Sequence, residues 1–207
     1  MSTSPLGIDP WVVNNLVGNR FLDAACGYGK WGTLLKMNRF RHPGPVHVTG
    51  LDLFEPHIEA LRGRGVYDEL AVGSVLEIPF PDQHFDAAVA CEVIEHLPDG
   101  SGPKLFAELR RVCTKSFVIS TPNFDCLRPG HETRDGFNPY EAHLYNPPYD
   151  EFAALGFTQV VGLGMPHLPS WKLRTALHQL GYFFPRYSEY LLGFWFADGK
   201  KRNMDYV

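Results

Sequence analysis

The segment that most constrains this chain is a glycine-rich turn set between a strand and a helix. Arg20-Phe-Leu-Asp-Ala-Ala-Cys26 has the short apolar character of a buried strand. Gly27-Tyr-Gly29-Lys-Trp-Gly32 follows at once, and a helical run extends from Lys30 to about Arg39. A strand that feeds a helix through G-x-G-x-x-G opens a βαβ unit, and glycines in that turn let a ligand approach the backbone.

The rest of the chain keeps up the alternation. Strands are predicted at 46–52, 70–73, 85–91, 116–120, 157–163 and 190–197. Helices are predicted at 55–62, with Pro56 in the first turn, at 102–112, at 149–155, closed by Gly156, and at 171–180, stopped by Gly181. In the 102–112 helix, Leu105, Phe106, Leu109 and Val112 form one apolar stripe. The expected fold is α/β: a Rossmann-like, doubly wound sheet of seven strands, mostly parallel, with an antiparallel final strand. One domain covers 1–207, with an N-terminal arm at 1–19, a Pro/Gly-rich acceptor-side loop at 122–148 and an insert at 165–187 between the last two strands.

Charge and composition exclude several classes of protein. A net charge of -4 and a pI near 6.1 argue against a broad basic face for nucleic acid. The apolar stretch from Tyr187 to Ala197 is too short to span a membrane and carries Glu189, so no transmembrane segment is expected. The first residues lack the basic and apolar regions of a secretory signal. Cys26, Cys91, Cys113 and Cys126 form no C-x-x-C pair and read as reduced thiols of a cytoplasmic protein. Tyr182, Phe183, Phe184 and Tyr187, with Arg186, either pack the last helix and strand or offer a peripheral contact to a lipid-like substrate or membrane. The sequence does not set an oligomeric state.

Asp52 ends the second strand, where a carboxylate can accept both ribose hydroxyls of an adenosine. That fits a nicotinamide dinucleotide, a flavin dinucleotide or S-adenosylmethionine. Asp23 separates them: a carboxylate beneath the turn repels a pyrophosphate and attracts an ammonium. The order of blocks also resembles the class I S-adenosylmethionine-dependent methyltransferase family. The blocks are Leu22-Asp-Ala-Ala-Cys-Gly-Tyr-Gly29, Gly50-Leu-Asp52, Gly73-Ser-Val75 with Ile78-Pro-Phe-Pro81, and Phe85-Asp-Ala-Ala-Val-Ala-Cys-Glu-Val-Ile-Glu-His-Leu97. The resemblance implies that Asp23, Ala25, Gly27 and Gly29 hold the methionine part of S-adenosylmethionine. It implies that Asp52 holds the ribose and that Leu53 or Phe54 packs on adenine. Ser74 and Val75 then stand where the family often has an aspartate for the adenine amino group, and Cys91 closes the fourth strand against the cofactor. Ala25 replaces the commonest first glycine.

On the acceptor side, Glu92, Glu95 and His96 share one side if the chain there is a helical turn. With His143 they make a two-carboxylate, two-histidine set suited to a divalent cation (Mg, Mn, Fe or Zn). This arrangement resembles ubiquinone-pathway O-methyltransferases and small-RNA 3′-terminal 2′-O-methyltransferases, and the sequence continues with Thr121-Pro-Asn123 and a late His143. The competing reading has His96, His143 or Glu92 as a catalytic base with no metal. Phe124, Phe137, Tyr140 and Tyr145 are candidates to wall the acceptor pocket. His84 is expected at the surface, and the remaining histidines, His57 among them, form no constellation. The leading expectation is a methyl transfer to the hydroxyl of a small-molecule substrate. The alternatives are a metal-assisted 2′-O-methyltransferase on an RNA 3′ end, which the acidic charge disfavours, and an NAD-dependent oxidoreductase.

Overall fold

The computed structural model describes residues 6–38, 44–124, 127–133, 136–164 and 180–202. Its centre is a seven-stranded sheet in the order β3-β2-β1-β4-β5-β9-β8. The strands are β1 (Arg20–Ala24), β2 (His47–Asp52), β3 (Glu69–Val72), β4 (Phe85–Cys91), β5 (Cys113–Pro122), β8 (Gln159–Leu163) and β9 (Tyr190–Phe196). The first five pair in parallel, and β9 runs antiparallel between β5 and β8. The doubly wound sheet with its antiparallel last strand is thus present as expected.

Both faces of the sheet are buried, because successive residues of a strand point to opposite sides. In β4, Ala88 and Ala90 enter one apolar cluster, while Ala87, Val89 and Cys91 enter the other. In β5, Phe117 and Ile119 face one way and Val118 the other. Helix α4 (Gly102–Val112) covers the first face with the stripe Leu105, Phe106, Leu109 and Val112, all buried. Helix α2 (Lys30–Met37) covers the second with Trp31 and Leu35.

Several boundaries differ from expectation. Within the N-terminal arm, where no element was expected, helix α1 (Asp9–Asn15) docks Trp11 and Val12 into the second cluster. An ion pair of 2.6 Å between Lys30 and Asp9 ties it to the start of α2. Phe157 and Thr158 precede β8, because Phe157 packs beside Phe106 and Phe152 instead of entering the sheet. The 122–148 loop contains a hairpin of β6 (His131–Thr133) and β7 (Gly136–Asn138) and a 3-10 turn at Pro139–Glu141. Helix α5 (Tyr149–Ala153) follows, with Phe152 buried. Most of the helix expected at 171–180 lies outside the described residues. The described helix α6 (Leu180–Phe183) contains Gly181 and does not stop at it. Space explains the glycine, since a Cβ there would lie 2.9–3.0 Å from the backbone of Gly162 and Gly164.

The strand order reverses between β1 and β4. In an open α/β sheet the ligand crevice opens at that switch point, beyond the carboxyl ends of the strands.

Candidate active site

A cavity of about 420 Å³ occupies this position. That lies within the range of small-molecule sites. Both central strands end in the same way at its edge. After β1, Ala25 takes φ 65°, and after β4, Glu92 takes φ 57°. Side chains rarely adopt this left-handed conformation, and such outliers gather at ligand sites. A glycine is the low-cost residue at such a position, which explains why Ala25 stands where the family pattern prefers one.

Of the nine residues expected to hold the cofactor, Ala25, Gly27, Asp52, Leu53, Ser74, Val75 and Cys91 line the cavity, together with Tyr28, Trp31, His57 and Gly73. Gly29 and Asp23 do not. Gly29 caps α2 in a left-handed conformation, φ 88°, and supplies no side-chain cap. Asp23 does that work from β1. Its Oδ2 accepts the Gly32 N–H at 3.0 Å and the Tyr67 hydroxyl at 2.5 Å. The first-turn N–H groups of a helix otherwise lack partners, so Asp23 is built into the turn itself. It is fully buried, and its Oδ1 has no hydrogen-bond partner among the described residues. Burial pushes its carboxyl up to about 7.

Gly32, the third glycine of the motif, is likewise structural. A Cβ there would lie 2.4 Å from the Tyr67 ring. Tyr67, from the segment between α3 (Glu55–Leu61) and β3, therefore fills the space beneath the turn. The helix N–H that a dinucleotide pyrophosphate would use is already bonded to a carboxylate, which disfavours the nicotinamide reading.

Asp52 is nearly buried at the end of β2. Its Oδ2 accepts the Gly27 N–H at 2.8 Å, and its Oδ1 accepts the Phe54 N–H at 2.9 Å. Two backbone donors thus fix the carboxylate plane, and each oxygen keeps capacity for a further donor. Leu53 is part-exposed at the cavity edge, as an aromatic base would need.

The acceptor end is arranged differently from the expected helical turn. Only Ile94–His96 is helical, as a 3-10 turn, and Glu92 precedes it with left-handed backbone. Glu92 consequently points away from its sequence neighbours. Its Oε1 accepts the Ser120 hydroxyl at 2.7 Å, and burial pushes its carboxyl up to about 7. Glu95, His96 and His143 do converge, each offering a ligand atom within 4.8 Å of the others. Among the described residues Glu92 is not part of that group, so the four-residue set becomes three.

Glu95 is fully buried. One oxygen accepts the Thr121 hydroxyl at 3.2 Å, and the other has no hydrogen-bond partner among the described residues. Burial, with the Glu92 charge nearby, raises its pKa well above the usual range. The rings of His96 and His143 meet edge to face at 4.6 Å. His96 Nδ1 lies 3.0 Å from the Ala142 carbonyl oxygen. A carbonyl only accepts, so in the neutral ring Nδ1 carries the proton and Nε2 is the basic nitrogen.

The backbone holds this group together from far along the chain. Leu144 and Tyr145 donate their N–H groups to the Glu95 carbonyl, and His143 exchanges backbone bonds with Arg128. Tyr140, Glu141 and Leu144 join His96 in the cavity wall; Phe124, Phe137 and Tyr145 do not line it. The sequence reading missed Tyr67, Ser120, Thr121 and His57. Tyr67 and His57 stand in no motif, Ser120 was legible only as the end of a strand, and Thr121 stood in the Thr121-Pro-Asn123 block without a role.

A family profile described as a methyltransferase domain matches residues 21–116. A probable S-adenosylmethionine-dependent methyltransferase of Mycobacterium tuberculosis is 30% identical over 163 residues, 76% of this chain and 55% of that protein. A similarly named protein of Mycolicibacterium smegmatis is 31% identical over 137 residues, 65% of this chain and 49% of its own length. The chain thus spans about half the length of these relatives. An S-adenosylmethionine-dependent methyltransferase from Mesorhizobium loti shares the fold, with a TM-score of 0.54, 19% identity, and coverage of 86% of this chain and 91% of that one. Profile, relatives and fold together support a class I S-adenosylmethionine-dependent methyltransferase.

Proposed function

We propose that this chain moves the sulfonium methyl of S-adenosylmethionine to a hydroxyl oxygen of a small molecule. One observation carries the reading. A single cavity joins Gly27 and Asp52, suited to an adenosine, to Glu92 and His96, suited to a proton-bearing acceptor. Donor and acceptor can therefore be held in line, the main requirement of a methyl displacement.

In this reading Asp52 accepts the ribose hydroxyls, Leu53 packs on adenine, and the turn through Ala25 and Gly27 carries the methionine part. Asp23 acts from behind the turn, holding it in shape. His96 Nε2 takes the hydroxyl proton as the carbon–oxygen bond forms and the carbon–sulfur bond breaks. The products are a methyl ether, S-adenosylhomocysteine and a proton on His96. Ala142 holds the ring for this task, and His143 packs against it. Leu53, Tyr140 and Leu144 are large, apolar and about half exposed at the cavity wall. That rim favours an acceptor with an apolar body over a polyanionic RNA end.

A second reading of the same end has its own support. Glu95, His96 and His143 fit a divalent cation: the set is compact, and one buried Glu95 oxygen has no hydrogen-bond partner among the described residues. Two imidazoles with one carboxylate suit Zn, Fe or Mn better than Mg. A cation held there would lower the pKa of the acceptor hydroxyl.

Thermal-shift titration tests the first reading. Stabilisation by S-adenosylmethionine and S-adenosylhomocysteine is expected, because a ligand that binds only the folded state raises its stability. A shift with NAD and none with these two refutes it. Metal analysis of the purified protein and of Glu95→Ala and His143→Ala decides the second; metal content equal in all three refutes a cation at this site.

A further inference from the structure

His57 was assigned nothing from sequence, yet its surroundings are unusual. It lies in the first turn of α3, is 2% exposed, and forms part of the cavity wall. Tyr28 stands edge-on to its ring at 4.6 Å and Phe54 at 5.0 Å. Neither ring nitrogen has a hydrogen-bond partner among the described residues. A neutral imidazole always carries one N–H, and a buried donor left unpaired is costly. A phenylalanine would fill this wall without that cost, so the packing does not account for the nitrogens.

Asp52 supplies the account. His57 Nδ1 lies 3.4 Å from Asp52 Oδ2, close enough for an ion pair but without the alignment of a hydrogen bond. The carboxylate already receives Gly27 and Phe54 N–H groups, one on each oxygen. We infer that His57 is a positioning residue for the donor's ribose: its Nδ1–H donates to Asp52 Oδ2 when the ribose hydroxyls bind that carboxylate. A small rotation between the two flanking aromatic rings completes the bond. The bond then holds the carboxylate at the angle that serves both hydroxyls. This inference rests on the reading of Asp52 as the ribose ligand.

The test is a cycle between residue 57 and the ribose. Affinities of S-adenosylhomocysteine and its 2′,3′-dideoxy analogue are measured by calorimetry for the unaltered protein and for His57→Phe, which keeps a ring in the wall. The unaltered protein is expected to prefer the natural ligand, and His57→Phe to reduce that preference about tenfold, the scale of one hydrogen bond to a charged group. His57→Gln, which can present an amide N–H, restores part of it. A loss of affinity equal for both ligands means a merely structural residue and overturns the inference. A second measurement needs no variant that might misfold. In 15N-histidine spectra of the unaltered protein, S-adenosylhomocysteine should leave His57 with a protonated Nδ1. An unprotonated Nδ1 in the complex overturns the inference while leaving the cofactor reading intact. Failure of the unaltered protein to bind S-adenosylhomocysteine at all overturns both.

Discussion

The two ends of the cavity are built by different means. At the donor end, short blocks in sequence make the site: β1 and its turn, the end of β2, and the loop after β3. Backbone N–H groups of Gly27 and Phe54 hold Asp52, and the Gly32 N–H holds Asp23. At the acceptor end, His96 meets His143 across a long stretch of chain, through backbone bonds from Leu144 and Tyr145 to Glu95. A ligand end fixed by nearby backbone is shaped by the fold itself. An end assembled from a distant loop can change its chemistry without disturbing the sheet, as loops on a rigid scaffold commonly do.

That contrast predicts separable effects. The largest is expected at the acceptor end: His96→Ala should lower turnover by about a hundredfold or more, the scale of a lost general base. Its affinity for S-adenosylhomocysteine should stay within about twofold, because distant sites act independently. A parallel loss in binding would merge the two ends. Next, Asp52→Ala should weaken S-adenosylhomocysteine by roughly a hundredfold, for the loss of two hydrogen bonds to a charged group. Its melting temperature without ligand reports whether the loss is only local.

The third effect is on stability against pH. Burial raises the carboxyls of Asp23 and Glu92 to about 7. The folded state therefore binds these protons more tightly than the unfolded state does. Stability is full below about pH 4 and falls as pH rises toward about pH 7. Denaturant unfolding at pH 5 and pH 8 should show the lower stability at the higher pH. Asp23→Asn should flatten the slope; a slope unchanged in that variant would remove Asp23 from the account. The smallest effect is at the turn. Gly32→Ala drives a methyl into Tyr67 and should cost about 1–2 kcal/mol by overpacking, measured as a lower unfolding midpoint. Gly32→Ala paired with Tyr67→Leu should recover part of that loss.

The cavity wall around Gly27 and Asp52 was largely legible from sequence because its residues follow from local pattern. The strand, the glycines and Asp52 lie in short blocks of fixed order, and seven of the nine residues expected there do line the cavity. Asp23 was found for a different reason than its position supports. The sequence marks a carboxylate beneath a turn, but Tyr67 and the Gly32 N–H that engage it come from separate elements. At the acceptor end the pattern E-x-x-E-H suggested one helical face. Left-handed backbone at Glu92 breaks that face and sends its carboxylate to Ser120.

Sequence by itself determined the alternation of strands and helices, the buried stripe of α4, the glycine-rich turn and the carboxylate at the end of β2. Each of these depends on near neighbours and on the periodicity of burial. Tertiary structure alone decided that Glu95, His96 and His143 converge without Glu92, that Tyr67 underlies the turn, and that His57 faces Asp52. The first two join segments far apart in the chain, whose meeting is set by strand order and by loop backbone bonds, and no local pattern encodes them. The third joins near neighbours across the turn from β2 into α3, where the packing of Tyr28 and Phe54 on the His57 ring decides what faces Asp52.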